Sequence, residues 1–168
     1  MHDRAGAQVS SALGVSTPAI EVDPALNFES LALSHRASYG ALDYLVCDEA
    51  QFYTDSQVEQ LARVVDEMDV DVYAFGLLTD FRGKLFPGSA RLLEIADQRH
   101  ELQVQARCWC GEPATHNARL HDGVQVYDGD VVLIDDGSTA KVTYELRCRN
   151  HWISGQAGPI ADRYKAAG

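Results

Sequence analysis

The chain has 168 residues, 46% hydrophobic and 23% charged, with a net charge of −11. That length suits one ordinary domain with a small appendage, and it can bury enough surface to form a core without staples. No run of about 18 apolar residues occurs and no basic cluster offsets the acidity, which argues against a membrane span and against a protein that tracks a nucleic-acid backbone.

The first residues, Met1-His2-Asp3-Arg4, have no apolar stretch of the secretory kind, so cytoplasmic residence is expected. Residues 1–18 are rich in Ala, Ser and Gly and read as loop, and residues 19–22 read as a short strand. Leu26, Leu31 and Leu33 suggest a short helix within 26–38. Residues 44–47, Tyr-Leu-Val-Cys, are apolar without alternation, as in a parallel strand covered on both faces. Thr54 and Gln57 form a capping box, Ser56 and Glu59 offer a second, and Val58, Leu61, Val65 and Met68 share a helical face. Residues 70–78 read as another buried strand. Strand, helix and strand with short links make a βαβ unit, hence α/β with a parallel sheet.

A loop over 79–87 and a helix over 89–98 follow. Leu102, Val104 and Ala106 alternate as in a strand. From Cys108 the segments shorten and turn signals crowd in, with strands expected over 124–127, 131–134 and 141–147. A β-rich piece of about 45 residues is too small to stand by core burial alone and needs a staple. The expected division is therefore an α/β core over 1–106, a small β module over 107–153 and a loose tail over 154–168.

Three constellations carry chemistry. Cys108-x-Cys110 and Cys148-x-x-His151 bracket an insert of 37 residues. Two close pairs of thiolate and imidazole ligands suit structural zinc, whose binding is worth on the order of 10–16 kcal/mol. The alternative is buried free thiols beside a surface histidine. Asp48-Glu49-Ala50-Gln51 ends the first apolar strand, where open parallel sheets bind their ligands. One acid there can hold Mg²⁺ through water and the next can take a proton from an attacking hydroxyl, or both are simply solvated acids. Residues 75–88, FGLLTDFRGKLFPG, combine aromatics and cations. Phe81 and Phe86 either line a pocket for a flat base or belong to the core, and Arg82 and Lys84 either meet phosphates or face water.

Taken together, DEAQF at 48–52, GLLTDFRGKLFPGS at 76–89, CWCGEPATHNARL at 108–120 and YELRCRNHW at 144–152 resemble the bacterial branch of the zinc-containing, type II thymidine kinases. The resemblance spans about residues 1–152. It implies a P-loop kinase core with a zinc-ribbon-like module, and transfer of the ATP γ-phosphoryl to the 5′-hydroxyl of thymidine. Glu49 takes the place of the proton acceptor. Asp48 acts on Mg²⁺, and Asp48, Glu49, Ala50 and Gln51 border the ATP site. Phe52, Leu77, Phe81, Phe86 and Tyr144 match residues that contact the nucleoside. Cys108, Cys110, Cys148 and His151 match the zinc ligands, with a lasso segment over about 129–144. The resemblance also implies a homotetramer with dTTP feedback.

One family element is missing. The 168 residues contain no Gly-x-x-x-x-Gly-Lys-Ser/Thr motif. That motif supplies a backbone cradle for phosphates, a lysine and a hydroxyl for Mg²⁺. Roughly 40 residues of the family pattern, one strand–loop–helix–strand unit, are therefore expected to be absent from the start. On that reading the chain has little kinase activity and acts instead as an assembly partner or a nucleoside-binding module.

Overall fold

The structure, a computed structural model, describes residues 8–10, 14, 16–102, 106–131 and 141–156. It divides into two compact units: Met1–Leu78 with Phe86–Gln98, and Thr79–Leu85 with Arg99–Gly168.

The first unit opens with β1 (Gln8–Ser10) antiparallel to β2 (Ser16–Pro18), with Val9 opposite Thr17. The loop expected over 1–18 therefore contains a strand pair, favoured by β-branched residues facing each other. The strand expected over 19–22 does not form. Pro18 and Pro24 flank it and lack N–H donors for a ladder. Helix α1 (Phe28–Tyr39) is capped by Asn27, whose side chain accepts the Ser30 N–H at 2.8 Å, and it ends at Gly40 with φ 91°.

β3 (Tyr44–Cys47) leads through a 3-10 turn (Ala50–Phe52) to α2 (Asp55–Met68) and then to β4 (Asp71–Ala74). β3 and β4 are parallel, with Tyr44 opposite Asp71 and Cys47 opposite Ala74. The Thr54–Gln57 capping box is complete. β4 was expected to run to Leu78. It stops at Ala74, although Phe75 still donates to Cys47 O at 2.8 Å and accepts from Ala50 N. Helix α3 (Pro87–Ile95) begins earlier than expected because Pro87 sits in its first turn, where a missing N–H costs nothing.

The core joins Leu26 and Phe28 to Cys47, Ala50, Tyr53, Val58 and Leu61, while Ala32, Val64 and Val70 form a second cluster. Val64 rather than Val65 faces inward on α2. The buried amides of Gln57 and Gln60 are satisfied by Asp23 O and the Phe28 N–H. β3 is not covered on both faces. Cys47 is buried and Leu45 packs on the core, but Tyr44 and Val46 are exposed, since a strand sends alternate residues to opposite faces and only one face meets helices among the described residues.

The second unit contains a three-stranded antiparallel sheet in the order β6-β5-β7: β5 (His116–His121), β6 (Val124–Val126) and β7 (Val142–Arg147). Asp122 and Gly123, with φ 49° and 78°, turn β5 into β6 as a type I′ hairpin requires. A short helix, α4 (Arg149–Ser154), follows β7. Of the remaining expectations, residues 103–105 of one strand, 132–134 of another, the middle of the lasso and residues 157–168 of the tail lie outside the described residues. No helix among the described residues is long and apolar enough to cross a membrane.

Candidate functional site

In the first unit the Asp48–Gln51 turn stands at the carboxyl end of β3. Glu49 holds a left-handed backbone, φ 51° and ψ 33°, which a residue with a Cβ adopts at a cost of order 1–3 kcal/mol and which recurs at functional turns. Asp48 Oδ1 accepts the Glu49 N–H at 2.9 Å. Both acids are exposed, whereas Ala50 and Gln51 are buried beneath them. Gln51 accepts the Leu77 N–H and donates to Glu49.

Two glycines make the turn fit. A Cβ on Gly76 would lie 2.5 Å from Gln51 Oε1, and one on Gly88 would lie 2.5 Å from Ala50 O and 2.8 Å from Tyr53 O. The first turn of α3 thus packs directly on the acidic turn. Phe52 is exposed and meets the buried Phe86 edge to face at 5.4 Å, and Leu77 is exposed. Asp48, Glu49, Phe52 and Phe75 border a cleft of about 830 Å³ that continues over Val22 and Leu45.

In the second unit, Thr79–Leu85 forms a small hairpin closed by a Thr79–Leu85 bridge. Asp80 organises it. Its carboxylate accepts the N–H groups of Arg82 and Lys84 and pairs with the Arg82 guanidinium at 2.6 Å. Arg82 is therefore tied down within the hairpin. Phe81 is only 2% exposed, and the Arg119 guanidinium lies 3.7 Å over its ring. Arg119, itself 3% exposed, also donates to the Tyr144 hydroxyl at 2.9 Å and to the carbonyls of Asp130 and Val131 at 2.6 and 2.7 Å. Phe81 and Tyr144 are thus linked through one buried cation. The Trp152 indole donates to Phe81 O at 3.1 Å and leaves no room for a side chain at Gly83. Arg119 and Trp152 were not singled out from the sequence, because the partners named here are 11 to 71 residues away.

The four expected metal ligands come together in the same unit. Cys108, Cys110, Cys148 and His151 place all ligand atoms within 4.8 Å of one another. A tetrahedral zinc with Zn–S near 2.3 Å and Zn–N near 2.0–2.1 Å sets sulfurs roughly 3.8 Å apart and nitrogen–sulfur pairs roughly 3.5 Å apart. Cys110 and Cys148 sulfurs are 3.9 Å apart, and His151 Nδ1 is 3.4 Å from both Cys108 and Cys148. The residues therefore fit the ion. The Cys108 turn is closed by its N–H on Glu112 O and by the Gly111 N–H on Cys108 O, with Gly111 at φ 91°. Cys148 caps α4 and His151 lies three residues on, the spacing that puts both on one helix face. Burial opposes ionisation of Cys108, but N–H groups of Cys110 and Cys148 and the His151 ring outweigh it and bring the thiol down to about 6. Trp109 stacks on the His151 ring at 4.1 Å. Cys47 belongs to the core of the first unit.

Comparison with known proteins agrees with these motifs. The thymidine kinase family profile matches residues 2–152. A thymidine kinase of Cutibacterium acnes is 50% identical over 163 residues, 96% of this chain and 76% of that protein. A thymidine kinase of Streptomyces coelicolor is 51% identical over 152 residues, covering 89% and 70%. A thymidine kinase of Ruegeria pomeroyi is 39% identical over 160 residues, covering 94% and 77%.

Proposed function

The chain belongs to the thymidine kinase family, and from that premise we propose that it phosphorylates thymidine with ATP, using Glu49 as the proton acceptor. Relatives named thymidine kinase at half identity favour catalysis over the inactive-partner reading. The observation that carries the assignment of the base is the exposed Glu49 carboxylate on a left-handed turn at the carboxyl end of β3, the end at which parallel sheets bind ligands.

In the proposed reaction the Glu49 carboxylate takes the proton of the thymidine 5′-hydroxyl. That oxygen bonds to the γ-phosphorus, the bridging bond to the β-phosphate breaks, and ADP leaves. Mg²⁺ carried with ATP neutralises charge on the phosphates. Asp48, next to the base, is the residue proposed to hold the ion through water, with Ala50 and Gln51 bordering the same nucleotide. Phe52, Leu77, Phe81, Phe86 and Tyr144 are proposed to contact the nucleoside.

Zinc is proposed as a structural ion on Cys108, Cys110, Cys148 and His151. Four protein ligands leave no open position, so its chemistry is to fold the turn, not to activate a substrate. The parallel β3–β4 pair with its helical crossover supports a P-loop kinase core over 1–106, and the metal cluster supports a zinc/lasso module over 107–153. A cytoplasmic homo-oligomer, a tetramer by family resemblance, completes the reading. Incubating the purified protein with Mg-ATP and thymidine and resolving dTMP tests it. Product formation that depends on both substrates supports the proposal, and thymidine that is neither bound nor phosphorylated refutes it.

A further inference from the structure

An exposed glutamate can adopt many rotamers, and proton transfer needs one. Gln51 offers the constraint. Its side chain is 1% exposed, and its amide oxygen accepts the Leu77 N–H at 3.1 Å. A backbone N–H can bond only to the oxygen end, so the amide nitrogen must point the other way, where it donates to Glu49 Oε2. The amide has no freedom to retreat, because Gly76 presses against it closely enough that a Cβ would lie 2.5 Å from Oε1. The Ala50 N–H on Phe75 O, at 2.9 Å, pins the backbone of the same turn. Glu49 Oε1 has no partner among the described residues and stays open to receive a proton.

We propose that Gln51 is a positioning residue for the phosphoryl transfer, holding the Glu49 carboxylate by one oxygen so that the other faces the nucleoside hydroxyl. The proposal rests on Glu49 being the base. It gives Gln51 a role beyond bordering the nucleotide, and it makes Gly76 and Leu77 the frame of the base.

The test measures kcat, the KM for thymidine and calorimetric thymidine binding for Gln51→Met and Gln51→Glu, each with Glu49 and with Glu49→Gln. Misplacement of a reacting group by an ångström costs up to about 100-fold in rate, so both variants should lower kcat by roughly 10- to 100-fold. Thymidine KM and Kd should stay within about two-fold, and neither variant should lower the residual rate further once Glu49→Gln has removed the carboxylate. A merely structural Gln51 would act equally in both backgrounds, and that outcome overturns the proposal, as does an unchanged kcat. If Gln51→Met loses thymidine binding, the isosteric Gln51→Glu decides alone. Glu49→Gln with undiminished kcat would bring down the base assignment and this proposal together. A fall with Glu49→Gln and none with the Gln51 variants brings down this proposal only.

Discussion

At Gly88 the backbone approaches three carbonyl oxygens, those of Ala50, Gln51 and Tyr53, closely enough that a single methyl group has nowhere to go. Gly88→Ala should therefore destabilise the first unit by about 1–3 kcal/mol, the usual cost of overpacking, read as a lower urea midpoint. Cys47 illustrates the opposite kind of residue, chemically silent because it is buried. Desolvation pushes its thiol up to about 11, a hydrogen bond from Tyr53 offsetting only part of the rise. Iodoacetamide at neutral pH should leave Cys47 unmodified in the native protein and label it on unfolding, as followed by mass spectrometry. The acidic pair at 48–49 and the Cys/His cluster could be marked in the sequence because each rests on short spacings, and the cluster's four ligand atoms do come together. The contacts of Arg119, Gln51 and Trp152 could not be marked there, because the partners they need are set by the fold. Phe81 and Phe86 could be read as pocket or core, and both are buried.

Among the elements, α2 was the clearest in advance, since a complete capping box and an apolar stripe point to the same helix. Thr54→Ala removes the side-chain acceptor of the Gln57 N–H and should cost about 1 kcal/mol, read from the same unfolding curves. β5 gave no such signal. Its six residues, HNARLH, mix polar and apolar types, and only the Asp122-Gly123 turn marked its end. It is nonetheless the central strand of its sheet, paired with β6 and β7, and its buried Arg119 is held by Tyr144 and two carbonyls. β3 looked like a strand buried on both faces because its run is uniformly apolar. Composition cannot say which neighbours cover a strand, and Tyr44 and Val46 are exposed.

At the scale of the molecule, the metal cluster and the acidic turn carry different burdens. The second unit contains both tryptophans of the chain, Trp109 stacked on His151 and Trp152 bonded to Phe81 O. Intrinsic tryptophan fluorescence therefore reports on that unit alone. A zinc chelator should shift the emission to the red and lower the melting temperature, with zinc restoring both. An unchanged spectrum in protein shown to be metal-free would contradict a structural ion. The acidic turn is proposed to serve catalysis, and the measurement that decides whether Glu49 is the base is the rate of dTMP formation by Glu49→Gln beside that of the native protein, with thymidine affinity measured on both. Loss of the carboxylate should lower turnover by roughly 10²–10⁴-fold, the usual contribution of a general base, with thymidine binding retained. Equal turnover in the two proteins would contradict that role.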